Sequence, residues 1–495
     1  MSRPPLVIAW RAEGLPVEVA RARRWQPSPM IAEIGVAATL VAAGIALRVW
    51  RLDDWMLDQD EFATFGEVKD ISKGSGLAYH WVRSTSPLTH GLIGMSLRHC
   101  SNWLVGLRLV PLITGIVTLL VTWPLVRSLW GRRVSLVTVA LLALSPLPVY
   151  ISSLARYQSG VLLCGLVTTV AFAHVAAGVR PRRSLLLAGL GLAVGLGFHL
   201  STLVIVPPAV IGLATIALRN RRGKVVLISA IATLVLLATA YYLRRQELDH
   251  VFRAVMRGYR LYGFGYKPFH LLGAVFFQVG PGICLLAVVG LILGCRRRDP
   301  AAFLMGAFAV IPIATLSLMA AEFATGPRYL HAAFPAVFLL AAYGAARILE
   351  GVRDQGLLAS AAVLAVLFLP QMPTLVSNLA FENCRYDVRP AAYRMRRMRE
   401  PGDLLLAESH ALLDFYGQVE SREIPRTRAE LEPLLQSGRR VLLAALYQRG
   451  RLVGTLDPTL QPYIEAQFYL IERHAQKRLD FYRFEVRLFS SEPLP

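Results

Sequence analysis

The sequence predicts an all-α polytopic membrane protein of about eleven transmembrane helices with a C-terminal extracytoplasmic α/β domain. Three observations carry this. The 495-residue chain is 55% hydrophobic with a mean hydropathy of +0.48, too apolar for a water-soluble protein of this size. Apolar stretches of near-membrane length recur from residue 31 to about residue 376. Beyond residue 377 the composition changes: charges balance and apolar runs shorten.

The spans are expected at 31–50, 104–126, 134–152, 159–178, 185–200, 202–218, 225–243, 271–294, 301–320, 329–348 and 356–376. The first run lacks a small-residue cleavage site, so it reads as a retained span after a cytoplasmic segment 1–30. The formal charge of +21 is not spread evenly. Arginines cluster at Arg21, Arg23 and Arg24, at Arg127, Arg132 and Arg133, at Arg180, Arg182 and Arg183, and at Arg219, Arg221 and Arg222 with Lys224. They recur at Arg296, Arg297 and Arg298, then at Arg347 and Arg353. Every second loop is therefore basic, the positive-inside pattern, which puts the N-terminus inside and the C-terminus outside. The excess charge sets topology and meets membrane lipids. Nucleic-acid binding is disfavoured, because no aromatic-basic motif accompanies it.

Three segments then lie outside. The loop 51–103 holds Asp58-Gln59-Asp60-Glu61 and Ser84-Thr85-Ser86-Pro87. Its apolar stretch Leu88–Leu97 is too short to span and reads as an interfacial helix. The loop 244–270 is rich in Arg and Tyr and includes Lys267. In the tail, Arg389–Glu400 and Thr427–Gln436 read as helices, the second with a capping-box spacing from Thr427 to Glu430. Leu404–Ala407, Val441–Leu446 and Phe481–Phe489 read as strands. The glycines Gly189, Gly191, Gly195 and Gly197 lie inside an apolar span with no preceding strand, so close helix packing explains them better than a nucleotide loop. The five cysteines show neither metal spacing nor a disulfide framework.

The outer side thus collects the residues that could do chemistry. The acids of the first loop stand with Arg156-Tyr157, His199, Lys267, Glu322 and Arg328-Tyr329. A carboxylate there could take a proton from an acceptor hydroxyl, while cations hold and stabilise a lipid phosphate. Each residue also has a plain reading. Acidic runs are usually solvated loops, arginines near span ends snorkel to headgroups, and a histidine at a helix end is about as often a satisfied structural group. Convergence on one side favours function, because ionisable groups at a membrane edge are costly unless paired or used. The register of the base, Asp58 or Asp60, stays open.

The layout resembles the C-type, polyprenyl-phosphate-dependent membrane glycosyltransferases, among them protein O-mannosyltransferases, lipid A aminoarabinose transferases and bacterial relatives. The likeness rests on Asp60-Glu61, on Ser86-Pro87-Leu88, and on Ser145-Pro146 and Tyr150 leading to Ala155-Arg156-Tyr157. It continues at Phe198-His199 and at Gly326-Pro327-Arg328-Tyr329-Leu330 with Pro335. It implies transfer of a sugar from a polyprenyl-phosphate carrier to an envelope lipid, glycan or protein acceptor outside a bacterial inner membrane. In that reading Asp60 is the base and Glu61 its orienting partner. Arg156, Arg328, His199 and Lys267 bind donor phosphate, and Tyr157, Tyr329 and Glu322 contact acceptor or sugar. One departure is that Leu154 and Ala155 stand where family members often place a carboxylate, so no metal ligand and no required cofactor are expected, with a divalent ion left open. The alternative from another class is a lipid-linked sugar transporter or flippase. A third reading is a non-catalytic assembly partner.

Overall fold

The computed structural model describes residues 27–50, 52–53, 55–73, 84–219, 270–319, 327–351, 356–380, 387–448, 450–453, 457–475 and 484–493. The expected span 225–243, Lys267 and Glu322 lie outside these residues. The membrane part comprises α1 (Pro27–Val49), α2 (Gln59–Ser72), α3 (Pro87–His99), α4 (Trp103–Trp130), α5 (Arg132–Leu144), α6 (Pro146–Ser152), α7 (Gln158–Ala176) and α8 (Pro181–Phe198). It continues with α9 (Val206–Arg219), α10 (His270–Val279), α11 (Pro281–Arg296), α12 (Pro300–Met319), α13 (Phe334–Gly351), α14 (Gly356–Phe368) and α15 (Met372–Ala380).

Among the described residues, six helical stretches are long and apolar enough to cross a membrane, and two bent pairs raise the number to eight. α8 and the stretch Leu200–Gly212 occupy the expected fifth and sixth spans without meeting that length and apolarity. Two expected spans are not straight. The stretch 134–152 bends by 57° between α5 and α6, and 271–294 by 103° between α10 and α11. Proline begins the second helix of each pair, and its missing N–H ends the preceding ladder. At the sharper bend Gly280 has φ +104°, a backbone that disfavours any side chain, and a Cβ there would lie 2.8 Å from the Gln371 side chain.

The break at Pro146 frees the carbonyl of Leu142, and a buried arginine satisfies it. Arg48 Nη2 donates to Leu142 O at 2.8 Å and Nη1 to Gly44 O at 2.8 Å and Ala143 O at 3.4 Å. Its Nε reaches Ser152 Oγ at 3.2 Å. The guanidinium caps the C-terminus of α5, where helix carbonyls and macrodipole both favour a cation.

Helices α7 and α13 are buried on nearly every side and form the centre of the largest apolar core. Two of the glycines of α8 pack closely: a Cβ at Gly191 would sit 2.6 Å from Thr168 Oγ1, and one at Gly195 2.8 Å from Thr202 Cγ2, whereas Gly189 has nothing within 4 Å and Gly197 only an ordinary contact to Leu88 at 3.4 Å. The arginine-bearing segments around Arg127, Arg297 and Arg347 meet at one end of the bundle. There Glu33 accepts from Arg127 Nε at 2.7 Å, Trp130 Nε1 donates to Asp299 at 3.1 Å, and Arg347 pairs with Glu350 at 2.6 Å.

The C-terminal part comprises α16 (Arg389–Met398), β1 (Leu404–Ala407), α17 (His410–Gly417), β2 (Arg422–Glu423), α18 (Arg428–Leu435), β3 (Val441–Gln448), β4 (Arg451–Leu452), α19 (Leu460–Gln467), β5 (Tyr469–Ala475) and β6 (Phe484–Ser490). The sheet order is β2-β1-β3-β6-β5, with β4 against β3. β1 pairs in parallel with β2 and with β3, in the register Leu404↔Val441, while β6 runs antiparallel to both β3 and β5. Such a sheet is covered on both faces, which explains the unbroken apolar run of β1. One face, with Leu404, Leu406, Leu443 and Tyr447, packs on α18 and α19 through Leu431 and Ile464. The other, with Leu405, Ala407, Leu442 and Ala444, packs on α16 and shares a single core with Met56 and Leu57 of the loop after α1 and with Val68 of α2. Thr427 caps α18, accepting from Glu430 N at 3.3 Å, but the reciprocal half of the expected box is displaced: Glu430 Oε2 accepts from Arg426 N at 3.0 Å.

Candidate active site

The site forms where the loop after α1 meets the ends of α6 and α8 and the turn before α13. Asp58 starts α2 with a capping box: its Oδ1 accepts from Asp60 N at 2.6 Å, and Glu61 Oε2 accepts from Asp58 N at 3.1 Å. The two following acids fall in the first turn, where the N-terminal dipole favours negative charge. The turn sends them opposite ways. The Asp60 side chain is 49% exposed, whereas that of Glu61 is 1% exposed.

Asp60 faces two cations. Its Oδ2 lies 3.1 Å from Arg328 Nη1 and 3.6 Å from Arg156 Nη2. Arg156 also donates through Nη1 to Asp60 O at 2.8 Å, so it grips both backbone and side chain of this residue. The Arg156 Nε is buried and has no hydrogen-bond partner among the described residues.

Glu61 turns inward onto Arg108, which is equally buried. Arg108 Nε donates to Oε1 at 2.9 Å and Nη2 to Oε2 at 2.9 Å, a bidentate pair. The rest of this guanidinium donates to the carbonyls of Leu52, Trp55 and Met56 at 2.8, 3.2 and 3.1 Å. Glu61 Oε1 also accepts from Ala155 N at 2.8 Å, the residue before Arg156. One carboxylate therefore ties together the loop, α4 and the turn that presents Arg156.

A planar stack forms beside the charges. The His199 ring lies on Tyr157 at 3.5 Å between centroids and 9° between planes, with Tyr329 at 6.3 Å. Arg156 lies over Tyr157 at 5.6 Å and Arg328 over Tyr329 at 5.4 Å. His199 Nδ1 accepts from Ser201 N at 2.8 Å, so the neutral ring carries its proton on Nε2. The Ser86-Pro87 segment docks here: Leu200 N donates to Thr85 O at 3.2 Å, and Thr89 Oγ1 to Phe198 O at 2.9 Å. On the same face of α2, two turns beyond Asp60, Glu67 lies 3.1 Å from His90 Nδ1.

Of the residues expected from sequence, Asp60, Glu61, Arg156, Tyr157, His199, Arg328 and Tyr329 come together, and Lys267 and Glu322 lie outside the described residues. Sequence reading missed Arg108 and Arg48. Their signal was present as one arginine inside, and one at the end of, an apolar span, both fully buried in the structure.

A family model described as dolichyl-phosphate-mannose-protein mannosyltransferase matches residues 85–243. No curated protein matches the chain in sequence. Among solved structures, ArnT from Cupriavidus metallidurans in the apo state is similar with a TM-score of 0.51 and 15% identity, covering 94% of this chain and 98% of that one. The oligosaccharyltransferase AglB from Archaeoglobus fulgidus, in complex with an inhibitory peptide and a dolichol-phosphate, gives a TM-score of 0.53 at 10% identity, covering 85% of this chain and 70% of that one. At such identities the likeness shows the fold. The chain has the fold of the C-type membrane glycosyltransferases and resembles them in sequence across residues 85–243.

Proposed function

We propose that this protein transfers a sugar from a polyprenyl-phosphate carrier to an acceptor hydroxyl or similar nucleophile on the outer face of a bacterial inner membrane, with Asp60 as general base. The observation that carries the reading is Asp60 placed between Arg156 and Arg328, half-exposed, at the start of a helix. In this reading the acceptor oxygen attacks the anomeric carbon and the carbon–oxygen bond to the phosphate breaks. The polyprenyl phosphate leaves with the electron pair, Asp60 takes the acceptor proton, and a single in-line displacement inverts the anomeric centre. A donor phosphate would compete with Asp60 for the two guanidiniums, so its arrival would release the carboxylate beside the acceptor. His199 Nε2–H and the unpartnered Arg156 Nε would supply further donors. Glu61, closed in by Arg108, would position the base and Arg156 rather than touch the acceptor. The carrier class is supported by the family description and by the dolichol-phosphate of the AglB complex. Two guanidiniums on the carboxylate fit an anion better than a divalent cation, and no step here runs through a metal.

Arg328→Ala is expected to weaken use of the lipid donor by roughly tenfold or more, the worth of a charge-assisted contact of about 1.5–3 kcal/mol. Steady-state assays against a panel of polyprenyl-phosphate sugars check this. Unchanged donor dependence at normal expression would place the phosphate elsewhere.

The orientation has its own test. Arg127, Arg132, Arg297 and Arg347 gather at the end of the bundle marked by Glu33 and Glu350. Single cysteines at Asp60, Arg156, Arg328 and in the tail are expected to react with an impermeant reagent from outside, and those at Arg132, Arg182 and Arg297 are not. External labelling at two of the latter would reverse the assignment.

A further inference from the structure

The backbone leading into α2 is held from two directions. Arg108, from α4, takes the carbonyls of Leu52, Trp55 and Met56. From the C-terminal unit, the Tyr416 hydroxyl oxygen accepts from Leu57 N at 2.9 Å, at the residue directly before the Asp58 cap. Burial raises the Tyr416 phenol, so the ring stays a neutral hydroxyl whose oxygen lone pairs can accept. The neighbouring Phe415 enters an aromatic cluster formed by α2 and the start of α4. Its ring lies 5.4 Å from Phe62, 6.1 Å from Phe65 and 5.8 Å from Trp103, each near edge-to-face. Val388 N adds a contact to Met56 Sδ at 3.3 Å.

We propose that Tyr416 and Phe415 are positioning residues for Asp60, through which the C-terminal unit fixes where α2 begins and so where the carboxylate points. The physical reason is leverage. A helix start is set by its cap and by the few backbone groups before it. Leu57 is fully buried and lies three residues before the carboxylate. If its N–H loses its acceptor, the cap and first turn can slide or fray, and Asp60 moves relative to Arg156 and Arg328. The second core formed by the loop and the C-terminal sheet gives the tyrosine a rigid base. This inference rests on Asp60 as the base.

The test is Tyr416→Phe, which removes one oxygen and keeps the ring, with Phe415→Leu as a second variant, in the full chain. Tyr416→Phe is expected to lower kcat by about three- to tenfold, the worth of one hydrogen bond, with KM for the carrier unchanged. Amide exchange across residues 55–62 should speed up by a similar factor while the unfolding midpoint stays put. In the Asp60→Asn background the same change should add no further loss, because the residue acts through that carboxylate. Unchanged kcat, unchanged exchange at 55–62, or an equal extra loss in the Asp60→Asn background would overturn the inference. Exchange is read without turnover, so slow exchange in Tyr416→Phe sinks the clamp whatever the assay gives. A parent chain that transfers no sugar sinks the functional reading alone.

Discussion

Asp60→Asn is expected to fold, insert and bind carrier like the parent, yet lose sugar transfer by about 10²–10⁴-fold. The amide keeps the size of the side chain and can still sit between Arg156 and Arg328, but it cannot accept the proton. The neighbouring acids serve as controls because their settings differ. Asp58 spends its carboxylate on Asp60 N, so Asp58→Asn should cost little beyond a weaker cap, since Asn caps nearly as well. Purified variants at matched folded protein and saturating donor decide the matter. Near-normal transfer by Asp60→Asn, or a larger loss for Asp58→Asn, would move the base out of this position.

The second large effect is on stability, at Arg108. Arg108→Met leaves Glu61 buried without its bidentate partner and also strands three loop carbonyls. Breaking a buried pair from one side costs about 3–5 kcal/mol, far more than removing both charges together. The expected result is a sharp drop in monodisperse protein and in unfolding midpoint for Arg108→Met and for Glu61→Leu. The double variant should recover the part due to the unpaired buried charge, but not the part due to the three stranded carbonyls. It should not recover turnover, because Ala155 N and the Arg156 turn still lack the Glu61 acceptor. A midpoint for Arg108→Met equal to that of the parent would show that the pair contributes little, and the account of Glu61 as a positioning group would fall.

Much of the architecture was legible because it depends on composition and period. Long apolar runs and alternating arginine clusters mark spans whatever their partners are, and the capping pattern at Thr427 is local. The bends at Pro146 and Gly280 were harder to read, since proline is tolerated in membrane helices when other groups satisfy the freed carbonyls. At Pro146 the group that does so is Arg48, 94 residues before Leu142. The site was visible as a list of residue types on one side but not as a geometry. Arg328 reaches Asp60 across 268 residues, and Arg108 reaches Glu61 across 47. Nothing local in the sequence says that Asp60 faces outward and Glu61 inward. That split follows from the helical turn once α4 fixes which side is core. Tyr416 was invisible for the same reason, lying 359 residues from the amide it holds.

Arg48 also bears on how the chain is made. An arginine well inside an apolar span costs up to about 2.5–3.5 kcal/mol, less near a helix end where it can reach the interface. In the finished protein its hydrogen bonds go to the carbonyl of Gly44 in its own helix, to the carbonyls of Leu142 and Ala143, and to Ser152. The last three groups are synthesised long after α1. During biogenesis, α1 thus inserts with its cation at the interface, and the buried position of Arg48 is reached only once residues 142–152 arrive to receive it. The kink at Pro146 thus completes a helix made about 94 residues earlier.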